Sequence, residues 1–181
     1  MKFSTLLAVV ATAAAATSCG GDDAQKPANG RIVTQNDFES TAGWGVDPAL
    51  LSREHAHSGQ YAITVDPSHE FSLTYEAALG QISPQKFQKI HLEAWAYLQS
   101  PKGNASLGVQ FTDPAQGNKA IGGEGIDLGQ AVKQYNKWVL VSKDITLPAN
   151  ITSANHLKVF VWRAMASQPV FIDDIRLTIP E

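Results

Sequence analysis

The chain has 181 residues, a formal net charge of −3 at pH 7 and a sequence pI near 5.9. A protein that binds nucleic acid needs a clustered basic face, so this charge balance predicts no nucleic-acid partner. Within these residues Cys19 is the single cysteine, which excludes an internal disulfide bond.

The first nineteen residues have the three parts of a bacterial export signal. Lys2 gives a positive charge, and residues 6–16 form a continuous small and apolar run. A transmembrane helix needs roughly 20 apolar residues, so this run predicts a cleaved secretory signal. Residues 16–19, Ala-Thr-Ser-Cys, resemble the lipobox of bacterial lipoproteins, although Ala16 stands where that family usually has Leu or Val. The resemblance implies a signal peptide over residues 1–18 and lipidation of Cys19; a plain secretory signal that leaves a free thiol is the alternative.

Residues 19–30 are small and polar, and a segment this low in hydrophobicity cannot bury enough surface to order itself. We interpret it as a flexible tether. Asp22 and Asp23 resemble the acidic surface-export signals of Bacteroidota lipoproteins. The sequence therefore predicts an exported protein that is anchored to the cell envelope by the lipid on Cys19, at the outer membrane, and displayed on the cell surface.

Residues 31–181 have the length of one domain with a substantial core. Short runs rich in β-branched and aromatic residues alternate in polarity between Gly, Pro, Asn and Asp. Regular short strands with turn signals are typical of a β-sandwich or barrel. The predicted strands are 32–38, 61–66, 71–76, 90–98, 105–112, 138–147, 157–163 and 170–179.

The remaining segments are less regular. Residues 117–129 contain Gly-Gly-Glu-Gly at 122–125, which predicts either a loop or a strand broken by bulges. Helix content should be low, with a turn or two over residues 83–88 and 129–135.

Five motifs in chain order resemble carbohydrate-binding-module-like, galactose-binding-like β-sandwiches. The motifs are Asn-Asp-Phe-Glu at 36–39 with Gly-Trp at 43–44, Ala-His-Ser-Gly at 56–59, Ile-His-Leu-Glu-Ala-Trp at 90–95, the segment 138–148, and Phe-Ile-Asp-Asp-Ile at 171–175. The resemblance implies an all-β fold, a jelly-roll β-sandwich of two antiparallel sheets, over residues 31–181.

The same resemblance implies a structural calcium ion. Glu39 and Asp173 would supply carboxylate ligands from opposite ends of the domain, and calcium prefers six to eight oxygen ligands of this kind. Backbone carbonyls near Asp37, His57 and Gln60 would complete the shell. Strand alternation predicts that only one of Asp173 and Asp174 faces the ion. In the alternative interpretation, Glu39 and Asp173 only cap turns or pair with Lys or Arg.

One face of strand 90–98 carries the candidate ligand-binding residues. Glu93, Trp95 and Tyr97 alternate with small and aliphatic residues, so they share a face. Sugar rings stack their apolar C–H faces on flat aromatic side chains, and their hydroxyls seek polar neighbours. We expect Gln110 and Trp162 to join the same concave sheet. The alternative is that Trp95 belongs to the core.

The predicted function is a non-catalytic lipoprotein that is tethered to the membrane and binds a polysaccharide or other glycan. One alternative is a structural β-sandwich of the cell envelope with envelope protein partners and no sugar site. The other is a glycan hydrolase, which needs two facing carboxyls such as Glu93 and Glu76. An exposed aromatic residue on a sheet would favour the first function, and burial of all four tryptophans would favour the second.

Overall fold

The computed structural model of the protein describes residues 30–45 and 47–181. The predicted signal peptide, Cys19 and the tether up to residue 29 lie outside the described residues. Gly30, the last residue of the predicted tether, begins the first strand.

Ten strands form in the part of the chain that the structure describes, joined by two α-helices of one turn each and two 3₁₀-helices, Pro48–Leu50 and Pro114–Gln116. The strands are β1 (Gly30–Asn36), β2 (Leu51–Ser52), β3 (Ala62–Val65), β4 (Tyr75–Ala78), β5 (Lys89–Leu98), β6 (Ser106–Asp113), β7 (Lys119–Asp127), β8 (Trp138–Thr146), β9 (His156–Trp162) and β10 (Val170–Pro180). The α-helices are α1 (Leu79–Ile82) and α2 (Leu128–Ala131).

The strands build two antiparallel sheets that pack as a β-sandwich, which confirms the predicted fold class. The six-stranded sheet has the order β2-β3-β10-β5-β8, and β1 also pairs with β10. Both β1 and β3 pair with β10, β3 at residues 170–172 and β1 at residues 175–180. The four-stranded sheet has the order β4-β9-β6-β7.

The core lies between the sheets and follows the period of two in the sequence. On β5, Leu92, Ala94 and Ala96 are fully buried, while the residues between them stay partly exposed. The facing strands β6 and β9 contribute alternate aliphatic and aromatic residues, among them Phe111 and Val159. Burial of each large aliphatic side chain contributes about 1.5–3 kcal/mol, so the alternation fixes which face of each strand turns inward.

The glycine-rich segment forms the edge strand β7, with a bulge in its pairing to β6 opposite Phe111 and Thr112. A Cβ at Gly123 would lie 2.6 Å from the carbonyl oxygen of Val109, and one at Gly125 would lie 2.8 Å from that of Leu107. Glycine is therefore needed here because the two backbones approach too closely for a side chain. The second of the two sequence interpretations, a bulged strand, is confirmed.

The helical turns begin earlier than the sequence predicted. Pro84 forces Ser83 into an extended conformation, with φ −151° and ψ 134°, so α1 ends at Ile82 and the turn predicted over 83–88 is wrong. The side chain of Asp127 accepts a hydrogen bond from the backbone N–H of Gln130 and caps α2 at its start. Among the described residues, no helix is long and apolar enough to cross a membrane.

Candidate functional site

The structure divides the predicted ligand-binding residues between two faces. Glu93, Trp95 and Tyr97 lie on the outer face of the six-stranded sheet, because β5 pairs with β10 and β8. Gln110 and Trp162 lie on the outer face of the four-stranded sheet, because β6 pairs with β7 and β9. The expectation that all five share one sheet is wrong, since the hydrophobic core separates the two groups.

Histidines from the loop between β2 and β3, residues 53–61, cover the aromatic residues of the six-stranded sheet. His57 stacks on Trp95 with ring centroids 4.0 Å apart and planes 13° from parallel. His55 stacks in the same way on Tyr97 at 4.1 Å, and Trp138 meets His57 edge-on at 5.6 Å. A sugar ring would have to displace His57 to stack on that side of Trp95, so this face packs like a small second core beneath the loop.

Glu93 belongs to a charged network beside these aromatic residues. Its carboxylate lies 3.4 Å from Nη1 of Arg176 and 3.7 Å from Nε2 of His91. The other ring nitrogen of His91 lies 2.5 Å from the carboxylate of Asp144. The Glu93 side chain is only 13% exposed, so its contacts within the protein use most of its surface.

The two carboxylates predicted to bind calcium hold the same loop. Oδ2 of Asp173 accepts backbone N–H bonds from His57 at 2.8 Å and Ser58 at 3.1 Å. Oε1 of Glu39 accepts backbone N–H bonds from Gln60 at 2.7 Å and Tyr61 at 2.9 Å. The loop is therefore fastened from both ends of the domain by bonds between carboxylates and amides, which are stronger than bonds between neutral groups.

Asp173 and Asp174 both face this loop, contrary to the expectation from regular alternation. The pairing of β10 with β5 shifts between Asp173 and Arg176, and Asp174 has a φ of +49°. The bulge turns the Asp174 carboxylate to the loop, where its oxygens lie 2.6 Å from Nδ1 of His57 and 2.8 Å from the donating hydroxyl of Ser58. A β-bulge re-aims a side chain in this way because it adds one residue to the strand.

The Asp173 side chain is completely buried. Burial raises the pKa of its carboxyl group above the usual value, and the nearby charge of Asp174 adds to the rise, although three backbone N–H bonds oppose it. Because the pKa in the folded protein exceeds that in the unfolded chain, the stability contributed by protonation falls as pH rises through the raised pKa. A cation beside the Asp173 carboxylate would offset the free-energy cost of keeping a charged group buried.

The residues fit calcium only in part. Within the described ranges, no group of three His, Cys, Asp or Glu side chains is placed to hold a metal ion. Glu39 and Asp173 would supply two carboxylates, and backbone carbonyls of the loop would have to supply most of the six to eight oxygens. The calcium ion stays a prediction, with a stabilising role in which it would tie the loop to β10.

If calcium binds, adding it to the chelated protein should raise the melting temperature by roughly 5–11 °C at concentrations near 100 times the dissociation constant. Glu39→Gln should remove this gain, since it takes away one of the two charged ligands. Thermal unfolding with calcium, with magnesium and after chelation measures the effect. Identical melting curves in all three conditions would show that the carboxylates act only on the loop amides.

The four-stranded sheet carries an open depression of about 350 Å³ on its outer face. Four glycines leave its floor without side chains, Phe160 and Trp162 form an aromatic side, and Gln110, Ser106 and Glu124 supply polar groups. Gly108 lies opposite Phe160 in the sheet, and a Cβ there would be 3.4 Å from the Phe160 ring. The end of the Phe160 ring therefore lies next to Gly108, in space that a side chain would otherwise occupy.

Trp162 is the exposed aromatic residue of this depression, with 42% of its surface accessible. Its indole Nε1–H donates to Oε1 of Glu70 at 3.2 Å, and Phe71 forms an isolated β-bridge with Trp162. Phe71 is 49% exposed and meets Phe160 edge-on, with ring centroids 5.8 Å apart. These contacts hold a row of aromatic rings at the end of β9 while leaving them open to solvent.

The opposite end of the same face is charged but paired. The carboxylate of Glu76 lies 3.2 Å from Nζ of Lys158 and 2.7 Å from Nδ1 of His156. Burial opposes ionisation of Glu76, but hydrogen bonds from His156 and Lys158 outweigh it and hold the pKa below its usual value. The resulting stabilisation is present above the unfolded pKa and is lost as pH falls through the lowered pKa.

Sequence reasoning did not include Phe71 and Phe160 among the site residues. Phe160 is two residues from both Lys158 and Trp162, so the period of two places all three side chains on one face of the strand. Phe71 gave no such signal, because it lies outside β4 and reaches the site through a single bridge to Trp162.

No family profile and no curated protein matches the sequence. Solved structures share the fold: the CBM22-1 xylan-binding domain of Xyn10C from Paenibacillus barcinonensis is 14% identical, with a TM-score of 0.55 over 85% of this chain and 97% of that domain. The C-terminal family 22 carbohydrate-binding module of Xyn10B from Clostridium thermocellum is also 14% identical, with a TM-score of 0.54 over 82% and 92% of the chains. A further xylan-binding domain of this family is 16% identical, with a TM-score of 0.53 over 82% and 95%. At these identities the likeness establishes the carbohydrate-binding-module-like β-sandwich fold.

Proposed function

We propose that the protein is a non-catalytic glycan-binding lipoprotein whose site is the depression on the four-stranded sheet. The observation that carries this proposal is the exposure of Trp162, which is 42% accessible beside a floor of glycines. Large aromatic side chains are usually well buried, so an open tryptophan that is held in place calls for a role other than packing.

The chemistry of the depression suits a sugar chain. The rings of Trp162 and Phe160 offer flat apolar surfaces for the C–H faces of a pyranose. Gln110 can both donate and accept hydrogen bonds, and Ser106 can do the same, so hydroxyl groups would find partners on the sheet. Such a mixture of apolar surface and a few polar groups is typical of ligand sites.

The fold adds support, because three structures of the same fold are named as xylan-binding or carbohydrate-binding modules. For this chain we propose a polysaccharide ligand on the strength of that likeness together with the open aromatic row. The neighbours share 14–16% of their residues with it, so the particular sugar has to be found by experiment.

The geometry favours a protein that binds glycans without hydrolysing them. A glycosidase needs two carboxyls on either side of the scissile bond. The two candidates, Glu76 on β4 and Glu93 on β5, lie on the outer faces of opposite sheets. The core of the sandwich lies between them, so they cannot act on one bond.

The purely structural alternative required all four tryptophans to be buried. Trp44 is 1% exposed and Trp95 and Trp138 are half-buried, but Trp162 is open. The pattern therefore favours a ligand site on the four-stranded sheet and a packing role for the other three residues.

Affinity electrophoresis in gels that contain xylan, β-glucan, mannan or pectin tests the proposed function. We expect at least one neutral polysaccharide to retard the wild-type protein, and calorimetry with the matching oligosaccharide should give a dissociation constant. No retardation by any of these polysaccharides would favour the structural alternative.

We also propose that Cys19 anchors the protein to the outer membrane, with the domain displayed from the cell envelope for glycan capture. Cys19→Ala should release the protein from the membrane fraction, because the lipid supplies the anchoring energy. Detergent partitioning of the wild type and the variant, after expression in a bacterium that processes lipoproteins, measures this. Equal partitioning of both proteins into the detergent phase would contradict the lipid anchor.

A further inference from the structure

We infer that Glu70 makes the site selective for uncharged glycans, because it fixes the Trp162 indole and leaves an unpaired carboxylate beside it. This inference rests on the proposed function and names the class of ligand that the same site accepts. It comes from the contacts of Glu70 and from the pairing of the other charges around the depression.

The first part concerns the orientation of the indole. Nε1–H of Trp162 donates to Oε1 of Glu70 at 3.2 Å, and the backbone carbonyl of Glu70 accepts from the N–H of Arg163 at 2.8 Å. Glu70 is thus fixed to the strand end that carries Trp162. The indole plane is therefore set before a ligand arrives, which reduces the entropy lost on binding.

The second part concerns charge. Two of the carboxylates on the aromatic face are neutralised by ion pairs. Glu124 lies 3.1 Å from Nζ of Lys143, and Glu76 pairs with Lys158 and His156. Across residues 30–45 and 47–181, Glu70 forms no ion pair with a Lys, Arg or His, and the indole N–H is its side-chain partner. Within the described residues, the Glu70 carboxylate therefore remains without an ion-pair partner at the aromatic end of the site.

A sugar stacked on Trp162 would lie within about 6 Å of the Glu70 carboxylate, given the hydrogen bond that joins Glu70 to the indole edge. A neutral sugar can donate a hydroxyl hydrogen bond to this carboxylate. A uronic acid instead places a second negative charge nearby, and the repulsion at a partly solvated surface should weaken binding by about tenfold. Repulsion of the wrong ligand is a recognised source of specificity.

The experiment uses the full chain and matched probes. Calorimetry compares xylohexaose, cellohexaose and mannohexaose with a xylo-oligosaccharide of six backbone units that bears glucuronic acid, at low and at high salt. The variants are Glu70→Gln, which keeps an acceptor for the indole but removes the charge, and Glu70→Ala, which removes both. Near-UV circular dichroism reports the order around the indole independently of any ligand.

The wild type should bind its best neutral hexaose about tenfold more tightly than the acidic probe at low salt, and 0.5 M salt should narrow the difference because it screens the charge. Glu70→Gln should bind both probes alike and keep the wild-type near-UV spectrum. Glu70→Ala should lose affinity for both and change the spectrum.

Discrimination that persists unchanged in Glu70→Gln would overturn the role of Glu70 and leave the proposed function standing. An unaltered near-UV spectrum and unaltered affinity in Glu70→Ala would show that Glu70 does not position the indole, and would also leave the proposed function standing. A wild type that binds none of the four probes would overturn the proposed function and this inference together.

Discussion

Replacing Trp162 with alanine is expected to abolish glycan retardation while changing the free energy of unfolding by no more than about 1 kcal/mol. The side chain is 42% exposed at the end of β9, so its removal leaves no cavity in the core. It does remove the stacking surface of the depression, and loss of a central aromatic contact typically costs about 2 kcal/mol or more of binding energy. Affinity electrophoresis and thermal unfolding of the same preparation measure both quantities.

Trp95→Ala is the matched control on the opposite sheet. Trp95 is stacked on His57 at 4.0 Å beneath the loop, so we expect a stability loss of about 2–4 kcal/mol with glycan binding retained. If Trp95→Ala abolished binding at unchanged stability, and Trp162→Ala bound normally, the ligand site would lie on the six-stranded sheet, as the sequence first predicted.

Asp173→Asn should destabilise the domain by about 1–3 kcal/mol, the second large effect. The carboxylate is fully buried and accepts three backbone N–H bonds, from His57, Ser58 and Asp174. Asparagine would turn an NH₂ group toward at least one of those donors, and a buried unsatisfied donor costs about 1–3 kcal/mol. A domain of this size would lose roughly 2–4 °C in melting temperature for each kcal/mol.

Asp174→Asn is the matched control, because it removes the charge of a neighbouring carboxylate that is not fully buried. The Asp174 side chain is 29% exposed and sits at a φ of +49°, a conformation that asparagine also tolerates. Both Asp174 and His57 have more than a quarter of the side chain exposed, so their ion pair should contribute less than about 1 kcal/mol. Chemical denaturation of both variants should therefore separate them clearly. Equal losses would mean that the bulge, and not the buried acceptor, holds the loop.

The sandwich itself was predictable because burial of alternate residues leaves a period of two in the sequence. The strand predicted over 90–98 and the observed β5 (Lys89–Leu98) differ by one residue. The same alternation placed Trp95 on the opposite face from Leu92 and Ala94, as observed. The sequence of a single strand is thus enough to predict which of its residues face the core.

The composition of the site was less predictable, because a strand's own sequence does not state which neighbours it pairs with. Gln110 and Trp162 were assigned to the sheet of Trp95, yet β6 and β9 belong to the other sheet. Nor does the sequence of β5 show that His55 and His57, some 40 residues earlier, cover its outer face. Long-range pairing decides both points.

The bulge in β10 shows a second limit. Regular alternation would send Asp173 and Asp174 to opposite faces, and the sequence contains no glycine there to announce an irregularity. The structure accepts a positive φ at Asp174 because the His57 ring and the Ser58 hydroxyl hold its carboxylate. The contacts that stabilise this conformation come from the loop, which is more than 100 residues away in the sequence.

The position of β10 in the six-stranded sheet also dictates the timing of folding. Among the described residues, β1 pairs with β10 alone, at residues 175–180, so β1 has no partner there until the chain has been made as far as Pro180. Contacts over such sequence separations form slowly, because the intervening loop must close first. β1, β3 and β5 therefore lack the neighbour they share until β10 is complete, so the six-stranded sheet closes after the four-stranded sheet has all of its strands.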